Sequence, residues 1–188
     1  MRLLTGITLL IVLAACSPQS EPPDDGPSQT PNGSPADQPT LRQSREQVRT
    51  TTQDVLELMV SDKGPLAVAK PALAFANGAW TACTDDLVAW AYDGSGRVDL
   101  GSGESAVDLL EAVRRAVESQ GWVYDPHPAA ADPETSVTAR KGPHLLRVRA
   151  YDGQPFVLIE VSGPCLEASS AQQADLGSHR KSEPIELP

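Results

Sequence analysis

The chain has 188 residues, and its 25 acidic against 15 basic side chains give a formal net charge of −10. A surface of that sign repels nucleic acid and offers no polybasic patch to a membrane. Aromatic residues make up 4% of the chain, too few for a base- or sugar-stacking platform.

Met1-Arg2 supplies a positive start, and Leu3 to Leu13 is an apolar run of about eleven residues. A membrane span needs roughly twenty apolar residues, so this run is too short for a permanent helical anchor. Its length and flanks are those of a secretory signal peptide over residues 1–15. The run ends in Leu13-Ala14-Ala15-Cys16, which resembles the bacterial lipobox. That resemblance implies cleavage before Cys16, a diacylglyceryl thioether on its thiol and often acylation of the new amino terminus. The plainer alternative is an ordinary cleaved signal followed by an incidental cysteine. Two or three acyl chains exceed the single chain that holds a protein only marginally. The implied location is the extracytoplasmic face of the cell membrane, with the membrane reached through the N-terminal lipid and the charge becoming −11 once Arg2 is removed.

With Cys16 taken by lipid, Cys83 and Cys165 remain as an even pair in an oxidising compartment. A disulfide there would close a loop of 82 residues and contribute roughly 4–5 kcal/mol in the chain-entropy model. Two buried free thiols are the alternative. The spacing fits neither a CxxC redox motif nor a zinc site.

Residues 16–39 hold the lipid-bearing cysteine and a proline-rich, acidic run with no basic and no large apolar residue. Such a segment buries too little to offset its ordering entropy, which predicts a disordered tether. Its reach is roughly 25 Å as a flexible coil and about 70 Å extended.

A single domain is expected over 40–166. Thr40 to Asp62 predicts a helix, with Leu41, Val48, Val55 and Met59 on one stripe, Thr40 and Gln43 at capping-box spacing, and Gly64-Pro65 as the stop. Leu66 to Asn77, Ala-rich and broken by Pro71, reads as a helical turn or packed loop. Leu87 to Tyr92 has the alternation of a strand. Asp93-Gly94-Ser95-Gly96 reads as a turn, and Gly94-Ser95-Gly96-Arg97 lacks the ending of a phosphate-binding loop. Glu104 to Gln120 predicts the second long helix, with Val107, Leu110, Val113 and Val117 inward and Gly121 at its stop. Trp122-Val123-Tyr124 reads as a short strand and Asp125 to Pro133 as loop.

Ser136–Arg140, His144–Tyr151 and Phe156–Ser162 predict three consecutive strands, joined at Lys141-Gly142-Pro143 and at Asp152-Gly153-Gln154. Leu146, Val148 and Ala150 alternate with Arg147, Arg149 and Tyr151, as in a sheet with one wet face. The uniformly apolar third strand suits a central position. Residues 167–188 are polar and unpatterned, and a disordered tail is expected. The fold class that follows is α+β, an antiparallel sheet of four to five strands with two long helices packed on one face.

Little in this pattern carries chemistry. His127, His144 and His179 have no ligand-spaced neighbours, so no metal site is expected. Serines are plentiful without a nucleophile elbow. Asp85-Asp86 and the Arg147/Arg149 pair read as solvated charge. No catalytic residue and no cofactor motif is found.

The combination of Leu13-Ala14-Ala15-Cys16, Trp80-Thr81-Ala82-Cys83 and Gly163-Pro164-Cys165 resembles small lipoproteins of actinobacterial type. That resemblance implies a lipobox, a spacer and one α+β domain, and carries no catalytic residue across. The function expected is a non-catalytic module that binds or supports another envelope component, protein or lipid. The alternative is a carrier for a small apolar or lipid ligand in a cavity between helices and sheet.

Overall fold

The computed structural model describes residues 39–101, 103–126, 135–178 and 182–187. The signal segment, Cys16 and the tether up to residue 38 lie outside them, as do His127 and His179.

Helix α1 (Leu41–Val60) starts where the sequence places it. The Thr40 hydroxyl accepts from the Gln43 backbone at 3.2 Å, and the Gln43 side chain accepts from the Thr40 backbone at 2.9 Å. Two orphan amide donors are thereby satisfied. After a 3-10 turn (Ala67–Ala69) come β1 (Pro71–Ala82) and β2 (Ala89–Leu100), then α2 (Leu110–Ser119) and β3 (Val123–Tyr124). The strands β4 (Ser136–Lys141), β5 (His144–Ala150) and β6 (Phe156–Ser162) follow, then β7 (Leu166–Glu167), α3 (Ser170–Ser178) and β8 (Glu183–Pro184). Eight strands form one antiparallel sheet in the order β3-β4-β5-β6-β2-β1-β8, with β7 pairing β2.

The architecture is α+β, with α1 and α2 on one face of the sheet, and the strand count exceeds the expected four to five. β6 is central, between β5 and β2. Val98, Val157, Ile159, Val161, Leu146 and Val148 form the inner face, all at most 1% exposed, under Val48, Leu56 and Met59 of α1 and Val113 and Val117 of α2. Burial of each such side chain contributes roughly 1.5–3 kcal/mol. The outer face carries Arg97, Asp99, Arg147, Arg149 and Glu160, with Arg149 3.0 Å and Arg147 3.7 Å from the Glu160 carboxylate.

Three sequence expectations are corrected. First, Gly94-Ser95-Gly96-Arg97 is neither turn nor loop; it is the middle of β2, paired to β1 and β6 on both sides. The glycines are there because α1 lies on them: a Cβ on Gly94 would sit 2.1 Å from Thr52 Oγ1, and one on Gly96 2.6 Å from Leu56 Cδ2. Second, residues 71–77 begin a strand instead of a loop, and Pro71 occupies its first position, where the missing amide costs no ladder bond. Third, the described part of 167–188 is ordered. Leu176 of α3 and Ala168 pack with fully buried Trp90, and Ile185 beside β8 is 4% exposed. The second helix is also shorter than expected, with residues 106–109 in turns before Leu110.

Cys83 and Cys165 form a disulfide with Cα atoms 6.1 Å apart. The bridge ties the chain just after β1 to the chain just after β6, across 82 residues of sequence.

Candidate functional site

At one end of the helical layer, α1, the turn after α2 and the β4–β5 hairpin enclose a cleft of about 630 Å³. Local rules place each contributor. On α1, Thr51, Asp54 and Leu58 follow helical spacing and lie beside the buried stripe, and Ser61 caps the helix end. Trp122 is delivered by the end of α2. The Gly121 amide donates to the Glu118 carbonyl at 2.9 Å and the Trp122 amide to the Val117 carbonyl at 3.2 Å, a Schellman pair. Gly121 takes φ +83° to make that turn, and Trp122 comes out 5% exposed against the cleft floor.

Lys141 and His144 face each other across the two-residue turn Gly142-Pro143. Gly142 has φ +57°, which a residue with a Cβ adopts only at a cost, and Pro143 fixes the next position. Lys141 Nζ donates to the Gln120 carbonyl at 2.9 Å, laying a cation on the C-terminal end of α2 and fastening the hairpin to the helix.

His144 is half-buried, and its Nε2 is buried with no hydrogen-bond partner. The ring lies against the turn, where the Lys141 backbone acts on it. Burial pushes its pKa below the ordinary 6.5, and the Lys141 bond opposes that in part. Burial thus favours the neutral form of the imidazole. Asp54 and Glu57 on the rim are exposed and ion-paired to nothing among the described residues. Val55, Leu58 and Trp122 make the apolar floor, while seven of the ten lining residues are polar. The cleft can thus hold a small molecule by apolar contact beneath and by hydrogen bonds donated to its rim.

Of the residues weighed for chemistry from sequence, His144 alone reaches this cleft. Asp85 and Asp86 are exposed in the turn after β1. The Asp86 carboxylate accepts from the Thr84 hydroxyl at 2.5 Å and the Val88 amide at 3.3 Å, which holds it below its ordinary range. Arg147 and Arg149 are on the outer face with Glu160. Among the described residues, no three His, Cys, Asp or Glu side chains gather as metal ligands. Sequence reasoning gave no chemical role to Asp54, Glu57, Trp122 or Lys141, reading the last two only as strand and turn; the one available signal was Gly121-Trp122, a helix-stopping glycine followed by a large aromatic.

The fold defines the class as α+β, an antiparallel sheet of eight strands with three helices. No protein-family model, no curated protein and no solved structure matches the chain.

Proposed function

We propose that this protein is a lipid-anchored, extracytoplasmic binding module of the cell envelope, without a catalytic step of its own, and that it holds its ligand in the cleft at α1, Trp122 and the β4–β5 hairpin. The observation that carries the binding half is His144 Nε2: a buried ring nitrogen without a hydrogen-bond partner, set over an apolar floor in a cleft of ligand size. His144 is not hydrogen-bonded to Asp54 or Glu57, so the base-and-orienter geometry of acid–base catalysis does not support an enzyme reading. Leu13-Ala14-Ala15-Cys16 supports the anchor.

Two measurements test the two halves. Expression of the full chain in a bacterium is expected to give a membrane-retained, lipidated product, and Cys16→Ser a product lacking the lipid mass. Unchanged retention and mass in the variant would refute the anchor. For the cleft, small-fragment titrations followed by NMR are expected to move Trp122 and His144 resonances together. Fragments that bind while leaving both unmoved would refute the site.

A further inference from the structure

Residues 182–187 occupy a groove between α1 and the outer edge of β1, away from the cleft. Along this segment Glu183, Ile185 and Leu187 turn inward, while Pro184 and Glu186 are exposed. On the β1 side, Glu183 pairs with Gly78 and Pro184 with Asn77, and the Ile185 amide donates to the Ala76 carbonyl at 2.9 Å.

On the α1 side, three residues spaced one helical turn apart read the segment. Arg45 grips the Glu183 carboxylate with two parallel bonds, Nε to Oε1 at 2.7 Å and Nη2 to Oε2. Arg49 Nη2 donates to the Pro184 carbonyl at 3.0 Å, and the Gln53 amide donates to the Glu186 carbonyl. From below, the Tyr92 hydroxyl donates to Glu183 Oε1 at 2.5 Å. The phenol reaches it because Gly78 has no side chain; a Cβ there would lie 2.1 Å from the Tyr92 oxygen. Ile185 supplies the one fully inserted side chain, 4% exposed.

Nearly all these contacts go to backbone groups, one carboxylate and one branched aliphatic side chain. They are the terms by which a sheet edge recognises an added strand: main-chain bonds for affinity and alternate side-chain sockets for specificity. The resident segment pairs with β1 only at Asn77 and Gly78, whereas β2 pairs with β1 along nearly its whole length. So short a ladder leaves the segment held chiefly by the Glu183 carboxylate and by Ile185, which inserts into the core beside Tyr92 and Val48.

We propose that this groove is a recognition site for an extended segment of another protein carrying a carboxylate and, two residues later, a branched aliphatic side chain, and that residues 182–187 are the resident pseudo-ligand which such a partner displaces. Arg45 and Tyr92 select the carboxylate, the Ile185 socket selects the aliphatic group, and Arg49 and Gln53 hold the backbone.

The probe is a fluorescein-labelled peptide, Ser-Glu-Pro-Ile-Glu-Leu, titrated by anisotropy against the full chain and its Ile185→Asp variant, which unseats the resident. Ile185→Asp is expected to bind at least about tenfold more tightly than the parent, because its groove is no longer occupied for most of the time. Replacing the peptide's first Glu by Gln, or adding Arg45→Ala to the variant, is expected to abolish that gain. A variant that keeps its sheet by circular dichroism and does not bind overturns the proposal. So does a variant that unfolds, since the strand would then be part of the framework. Exchange of the segment between copies, seen as a parent dimer that the peptide dissolves, would assign the groove to a second copy and overturn a separate partner.

Discussion

Thr52 of α1 stands directly over Gly94 of β2, and the contact predicts the outcome of a single methyl. A Cβ added to Gly94 would lie 2.1 Å from Thr52 Oγ1, 3.0 Å from its Cβ and 3.1 Å from its Cγ2. Nonbonded heavy atoms sit comfortably at about 3.5–4.0 Å, so the nearest contact is short by more than about 1 Å. Thr52 cannot swing aside freely: it is fully buried and its hydroxyl donates to the Val48 carbonyl at 2.7 Å. Lifting α1 would strip contacts from Val48 and Leu56, both 0% exposed. Overpacking of this kind costs about 1–3 kcal/mol. Gly94 has no positive φ, so alanine regains about 0.4–1 kcal/mol by restricting the unfolded chain. Gly94→Ala should therefore destabilise by about 0–2.6 kcal/mol net, centred on about 1.3 kcal/mol, a drop in Tm of a few degrees. Thr52→Ala removes the two outer atoms of the clash, so the double variant should be more stable than the sum of the singles by about 1 kcal/mol. Urea unfolding of the four proteins, with the disulfide intact, measures the cycle. Additivity within about 0.3–0.5 kcal/mol would refute the account, as would a stabilising Gly94→Ala.

Three further outcomes follow from the bridge and from two titrating groups. Cys83→Ala/Cys165→Ala should lower stability by about 4.5 kcal/mol, the chain-entropy value for a separation of 82 residues; a loss below about 2 kcal/mol in matched urea curves would contradict that reading. The hydrogen bonds from Arg45, opposed by burial and aided by Tyr92, hold the Glu183 carboxyl at about 2, below its ordinary 4.5. A depressed carboxylate contributes stability above its unfolded pKa, so that contribution should fade as pH drops from 4.5 toward 2, and Glu183→Gln should flatten this part of the stability–pH curve. For His144 the folded pKa is lowered by burial, so the unfolded chain takes up the proton first and stability should fall as pH drops through 6.5. His144→Gln should remove that slope, and the parent's ring resonance should titrate with a midpoint below 6.5.

Where local rules and tertiary packing agree, the sequence is legible. The Thr40–Gln43 box begins α1, and the alternation of β4 to β6 gives their boundaries to within a residue or so. Where they conflict it misleads. Gly78, Gly94 and Gly96 carry turn chemistry, yet their function is absence: they leave room for Tyr92, Thr52 and Leu56 to press on the sheet. The helix side of that contact was equally disguised, since Ser44 and Thr52 are polar types on a buried stripe. In the tail, Ser169 and Gln172 repeat the capping box that marks α1, with the Ser169 amide 2.9 Å from Gln172 Oε1. α3 was hidden because little of its own surface is apolar, and it is held by Leu176 against a tryptophan from β2.

The cleft was out of reach for a different reason. Its groups come from α1, from the end of α2 and from the β4–β5 hairpin, and each is an ordinary residue in its own segment. Asp54 and His144 are ninety residues apart, and neither belongs to a spaced motif. What joins them is two glycine-dependent turns. Gly121 aims Trp122 at the floor, and Gly142 brings Lys141 back to α2 with His144 behind it. A sequence pattern registers those glycines as a stop and a hairpin. Only the packed structure shows that the stop and the hairpin meet, and that a buried imidazole nitrogen is left there without a partner.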